Sequence, residues 1–154
     1  YAKVKGVRGF SVVSNQWSMA TDSSASDETR VNGMYHVDES YYKWHERTGM
    51  PLLPYSSTAH GAFSKMKQGT LTEQGSAAYV NPRNEKLFAL LEEESAEEGV
   101  NLYVLAQAYL RKHPFQVIPV AGVSSPVQLS DFARAAEYEL PDRWMQRYLS
   151  LGVW

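Results

Sequence analysis

Three short stretches of this chain carry residue types that could hold a ligand. The first is Asn15-Gln16-Trp17-Ser18, whose primary amides can donate and accept hydrogen bonds at once. The second is Tyr55-Ser56-Ser57-Thr58-Ala59, followed by Gly61. An aromatic ring followed by hydroxyls and a glycine suits a flat ring joined to a phosphate, because small residues let a ligand approach the backbone. The third is Ala121-Gly122-Val123-Ser124, leading into Ser125-Pro126-Val127-Gln128. A glycine loop ahead of a free helix N-terminus is a natural anion site. Plainer readings stand beside each. Gln16 could satisfy loop backbone, Tyr55 could be a core residue, and Gln128 could only complete a capping box with Ser125.

The elements that would position these stretches follow from apolar runs and caps. Phe10–Ser14, Met50–Tyr55 and Phe115–Val120 read as buried strands, bounded by turn residues. Each candidate stretch then lies at a strand's carboxyl end, where ligands bind in α/β sheets. Tyr1–Gly9 reads as the end of a helix, and Thr21–Asp27 as a polar loop. Asp38 caps a helix running to Thr48, with Val37, Tyr41, Trp44 and Thr48 as its inward stripe, and Gly49 closes it. Lys65–Val80 reads as a long polar loop. Asn81-Pro82 starts a helix with Leu87, Leu90 and Leu91 inward. Its acidic run, Glu92–Glu94 with Glu97 and Glu98, reads as a solvated face. Gly99 ends it and Asn101 caps the next. There Leu102, Leu105, Ala106, Tyr109 and Leu110 fall at offsets 0, 3, 4, 7 and 8, a buried stripe. Lys112 and His113 suit its C-terminal dipole. Pro141–Leu149 is a last amphipathic segment. Strands alternating with helices imply parallel pairing with helical crossovers, an α/β fold.

Composition narrows the classes. The chain has 154 residues, enough for one domain, with 15 basic and 17 acidic side chains and a formal net charge of −2. No clustered basic face speaks for nucleic acid. No apolar run approaches a membrane span. Cysteine is absent, which excludes thiolate metal sites and agrees with a cytoplasmic setting. His36, His45, His60 and His113 lack close ligand spacing, so a metal-dependent hydrolase is the weakest reading.

Read in order, Ser14-Asn15-Gln16-Trp17-Ser18, Leu53-Pro54-Tyr55-Ser56, Leu102 through Leu110, and Gly122 with Ser125-Pro126-Val127-Gln128-Leu129 resemble the carboxyl half of the aldo-keto reductase family. The resemblance implies a partial (β/α)8 TIM barrel, with parallel (β/α) units corresponding to strands six to eight. Residues 1–154 would form a single incomplete barrel domain. It implies that Tyr55 stacks on the nicotinamide ring of NADP(H) and that Gln16 holds the carboxamide. Ser56, Ser57, Thr58 and Ala59 would lie along the pyrophosphate. Gly122, Val123, Ser124, Ser125, Gln128 and Asp131 would surround the adenosine end. The family usually has a basic residue near Gln128 and often asparagine where Phe132 stands, so NAD(H) remains open as the cofactor. The family's catalytic tetrad of tyrosine, aspartate, lysine and histidine lies in the amino-terminal half, and no residue here is assigned to it.

Two expectations follow. One is the cofactor-binding part of an NADP(H)-dependent reductase of aldehydes or ketones, inactive alone, its small-molecule carbonyl substrate met only in the complete protein. The alternative is a non-catalytic half-barrel assembly module. Either way the open sheet edges need covering, by the missing amino-terminal half or by a second copy. Nucleic-acid and membrane partners are not expected.

Overall fold

Five helix starts in this chain are set by short polar side chains, each accepting one backbone N–H that the first turn leaves unpaired. The computed structural model of the chain describes residues 2–23 and 35–153. Its helices are α1 (Ala2–Lys5), α2 (Glu39–Thr48), α3 (Ala62–Gln68), α4 (Glu73–Tyr79), α5 (Pro82–Glu98), α6 (Leu102–Arg111), α7 (Pro126–Glu137) and α8 (Asp142–Leu149). Asp38, Thr72, Asn81, Asn101 and Ser125 cap α2, α4, α5, α6 and α7 through their side chains. Gly49 and Gly99 end α2 and α5 at φ 66° and 65°, the left-handed conformation that glycine adopts without strain. The expected Thr21–Asp27 loop lies partly outside the described residues.

The expected long loop at Lys65–Val80 is not one. It holds the end of α3 and all of α4. Thr72 accepts from the Gly75 N–H, a cap within an otherwise polar sequence.

The three expected strands are extended and parallel, but among the described residues none is a continuous strand. They meet through isolated bridges, Val13 with Leu52, Gln16 with Tyr55, and Leu52 with Val117. A fourth bridge pairs Gln16 with His36 on the opposite side. The hydrogen bonds are regular where donors exist: Leu53 N–H to Val13 O (2.8 Å), Tyr55 N–H to Asn15 O (3.1 Å), Ile118 N–H to Leu52 O and Val120 N–H to Pro54 O (both 2.9 Å). Pro51 and Pro54 remove ladder donors towards the first and third segments, which interrupts pairing in segments that read as strands. The Leu53 carbonyl accepts from the Ser14 hydroxyl.

Leu52 and Val117 point into a core with α5, α6 and α8, where Leu87, Leu91, Leu105, Leu110, Trp144 and Tyr148 are buried. The α6 stripe is buried as expected. On α2 the inward face is one step round from the expected stripe: Tyr42 and His45 are buried, while Thr48 is exposed. Two charge readings also change. Glu94, inside the acidic run, is fully buried and accepts from the Tyr148 and Tyr138 hydroxyls. His113 is not a solvated helix-end cation but packs among Trp17, Tyr42, Tyr109 and Phe115.

The opposite face of the paired segments is bare. Phe10 is 92% exposed, Val12 38%, Ile118 46% and Val120 48%. Ile118 and Val120 lie on the face opposite the buried Val117, as alternation along extended chain requires.

Candidate functional site

The carboxyl ends of the second and third extended segments open into one cleft of about 760 Å³. One wall is the strap Ser56–Gly61. The other is the loop from Val120 to Ser124, continued by Gln128 and Asp131 of α7. The strap is unusual in its backbone: Ser56, Ala59 and His60 have φ of 52°, 49° and 54°. Non-glycine residues rarely adopt that region, and several in one short strap mark a conformation held by its surroundings. One such hold is the Ser57 hydroxyl, which donates to the Val120 carbonyl across the cleft floor (2.9 Å).

Of the residues the sequence points to, Ser56, Ser57, Thr58, Gly122, Ser124, Gln128 and Asp131 line this cleft together. Gln16, Tyr55, Ala59, Val123 and Ser125 do not. Ala59 is buried beneath the strap. Val123 is exposed, and Ser125 is the N-cap of α7, accepting from the Gln128 N–H (3.2 Å). Gln16 borders a separate cavity of about 100 Å³ with Trp17, Ser18 and His36. Its backbone is bridged to Tyr55, so the amide-bearing and ring-bearing residues are neighbours on adjacent segments. Gln128 turns back on its own loop, its Oε1 accepting from the Ser124 N–H (2.7 Å) and the Ser124 hydroxyl (3.0 Å). Ser125 thus caps α7, but Gln128 does not close the expected box on the Ser125 N–H: it bonds one residue earlier and shapes the loop that forms the wall.

Sequence reasoning missed part of the lining. His60, Ser64, Lys65 and Gln68 enter from the strap and α3, and Tyr103 from α6. Lys65 and His60 are the basic side chains there, facing a single carboxylate, Asp131. The Tyr103 hydroxyl is buried without a hydrogen-bond partner among the described residues. Burial, then the nearby Asp131 charge, raises its pKa, so it stays a neutral donor. A signal for Tyr103 existed: it is an aromatic residue off the apolar stripe of its helix. Lys65 had none, because its segment read as loop.

A nicotinamide dinucleotide fits this donor set. The hydroxyls of Ser56, Thr58 and Ser64, the glycine wall and Lys65 suit a diphosphate, and an orphaned tyrosine hydroxyl is a buried polar group awaiting a partner. At Gly122 an added Cβ would meet no atom within 4 Å, so its wall of the cleft is open space. Among the described residues no group of three or more acidic or histidine side chains is arranged to hold a metal, and no helix is long and apolar enough to cross a membrane.

Parallel extended segments with helical crossovers, and a cleft at their carboxyl ends, define a protein of the α/β class. The sequence profile of the Aldo/keto reductase family matches residues 1–151, and the chain belongs to that family. Proteins of this family typically use nicotinamide cofactors. A solved structure of a thermostable aldo-keto reductase in complex with the inhibitor epalrestat is similar at 20% identity, with a TM-score of 0.49. The likeness covers 90% of this chain and 39% of that one, so this chain spans well under half of that protein's length. None of the curated proteins compared matches this chain.

Proposed function

We propose that this chain forms the cofactor-binding carboxyl part of an oxidoreductase that reduces aldehydes or ketones with NADP(H), NAD(H) being the alternative. The observation that carries the reading is the cleft itself: seven residues singled out in two separate stretches, the strap and the loop running into α7, line one 760 Å³ space. When bound, the nicotinamide would supply the hydride. Tyr55 would stack on that ring and Gln16 would hold its carboxamide. Ser56, Ser57 and Thr58 would hold the diphosphate, with Lys65 beside them, and Gly122, Ser124, Gln128 and Asp131 the adenosine end. Ala59, Val123 and Ser125 would act through the shape of the strap and loop. The absence of cysteine agrees with a cytoplasmic setting.

In this reading residues 1–154 are one incomplete barrel domain, and the three paired segments correspond to strands six to eight. The apolar face of Phe10, Val12, Ile118 and Val120 supports it. Such a face needs covering, and further β/α units bearing the catalytic groups would cover it. The same face favours the second reading, an assembly module in which a second copy covers it. A monomer in sedimentation would overturn that alternative.

The test is fluorescence titration with NADPH. Saturable binding is expected, weakened at least about fivefold in Tyr55→Ala, since stacking a ring on an aromatic side chain is worth about 1–3 kcal/mol. Unchanged affinity in Tyr55→Ala would show that Tyr55 does not stack on the cofactor.

A further inference from the structure

Gln107 lies in the middle of α6, 1% exposed, between the buried Ala106 and Ala108. A buried amide costs free energy unless it is bonded. Its Nε2 donates to the Ser57 carbonyl (3.0 Å), 50 residues away in sequence. Ser57 is itself 1% exposed, and its hydroxyl donates to the Val120 carbonyl (2.9 Å). One buried path therefore runs from α6 through the strap to the loop on the far side of the cleft. The Gln107 Oε1 has no partner among the described residues. The amide thus keeps one bond and leaves another unmade, an arrangement that core packing alone does not call for.

We infer that Gln107 is a positioning residue: it fixes the Ser56–Gly61 strap against the Val120–Ser124 loop, so that both walls of the cleft are preset for the cofactor. The inference rests on the reading of this cleft as the dinucleotide site. The strap needs such a tether, because three of its residues sit in left-handed backbone that relaxes when support is lost. Gln107 reaches only the strap's buried side and touches no position a ligand could occupy. Its effect is preorganisation, which appears in binding rather than in chemistry.

The test uses the protein at its full natural length. Gln107→Met keeps the side chain's length but cannot donate, and Ser57→Ala breaks the second link of the same path. Two readouts are taken. Hydrogen exchange without nucleotide follows the strap amides of Ala59 and Gly61, which donate to Ser56 O and Thr58 O at 2.8 Å. NADPH affinity and kcat are measured separately. In both variants, strap exchange is expected to quicken about tenfold while α5 is unchanged. Ser57→Ala is read by exchange alone, because Ser57 lines the cleft. In Gln107→Met NADPH affinity should fall about 3- to 10-fold, the worth of one hydrogen bond, with kcat at saturating NADPH within about twofold. If strap exchange is unchanged in both variants, or NADPH affinity in Gln107→Met stays within about twofold of the parent, the inference is overturned. If the parent itself fails to bind NADPH, the reading of the cleft falls, and the exchange measurement still decides whether Gln107 tethers the strap.

Discussion

The Tyr42 hydroxyl lies 3.0 Å from His113 Nδ1, joining α2 to the end of α6 across 71 residues of sequence. Burial raises the Tyr42 pKa to about 12 and lowers that of His113 to about 3. The hydroxyl is therefore the donor and the imidazole the neutral acceptor. An unfolded His113 takes protons near its ordinary value of 6.5, and the folded one does not. Its contribution to stability is complete above that pH and drains away as pH falls from 6.5 towards 3, by about 1.4 kcal/mol per unit. His113→Phe should be less stable at pH 7.5, because the Tyr42–imidazole hydrogen bond is lost, yet lose less on going to pH 5. Urea midpoints at the two pH values measure this, and parallel losses in both proteins would remove His113 as the acid-sensitive group.

Tyr148→Phe should cost about 1–3 kcal/mol. It leaves the buried Glu94 carboxyl without its closest donor. Tyr138, at 3.3 Å, is the weaker partner, so Tyr138→Phe should cost less. Denaturant unfolding of the two variants gives the order directly.

Arg83 donates to the carbonyls of Met19 (3.0 Å), Leu151 (3.2 Å) and Gly152 (2.6 Å), and to the Thr21 hydroxyl (2.7 Å). Arg83→Met removes all four bonds, and a loss of about 2–4 kcal/mol is expected. Proteolysis should then begin near residues 151–153, where the chain is held down by these bonds. Cleavage elsewhere first would show that Arg83 is not what holds it.

Lys65→Met should weaken NADPH binding about 3- to 10-fold and flatten its salt dependence, since one charge-assisted contact to phosphate is removed. The fold should be untouched, because Lys65 is a cleft-lining residue on a short helix rather than part of the core. Titrations at low and high salt check both effects. An unaltered salt slope would place Lys65 away from the diphosphate.

Much of the architecture was legible because it is written in local chemistry. Asp38, Asn81, Asn101 and Ser125 cap where their types say they should. The α6 stripe also buries as its spacing requires. What stayed hidden depends on tertiary neighbours. Glu94 looks like its exposed neighbours until the Tyr148 and Tyr138 hydroxyls from distant helices meet it. His113 reads as a helix-end cation until four aromatic rings surround it. The cleft was legible from Ser56, Ser57, Thr58, Gly122 and Ser124, all on strand-end loops. Lys65 was not, because its segment reads as loop, and Tyr103 showed only as an aromatic off its helix's apolar stripe, since the folded chain alone brings both helices alongside.

Pro119 has a further consequence. In its segment the N–H groups of Ile118 and Val120 point inward, to Leu52 and Pro54. The backbone nitrogen of residue 119 alternates with them and faces the open edge, where proline has no hydrogen to offer. A stray strand docking on that edge would lose a bond at its centre, next to an apolar face that would otherwise invite cross-chain stacking. Pro119 thus leaves a gap in the row of donors along that edge, which makes it a poorer template for cross-chain pairing.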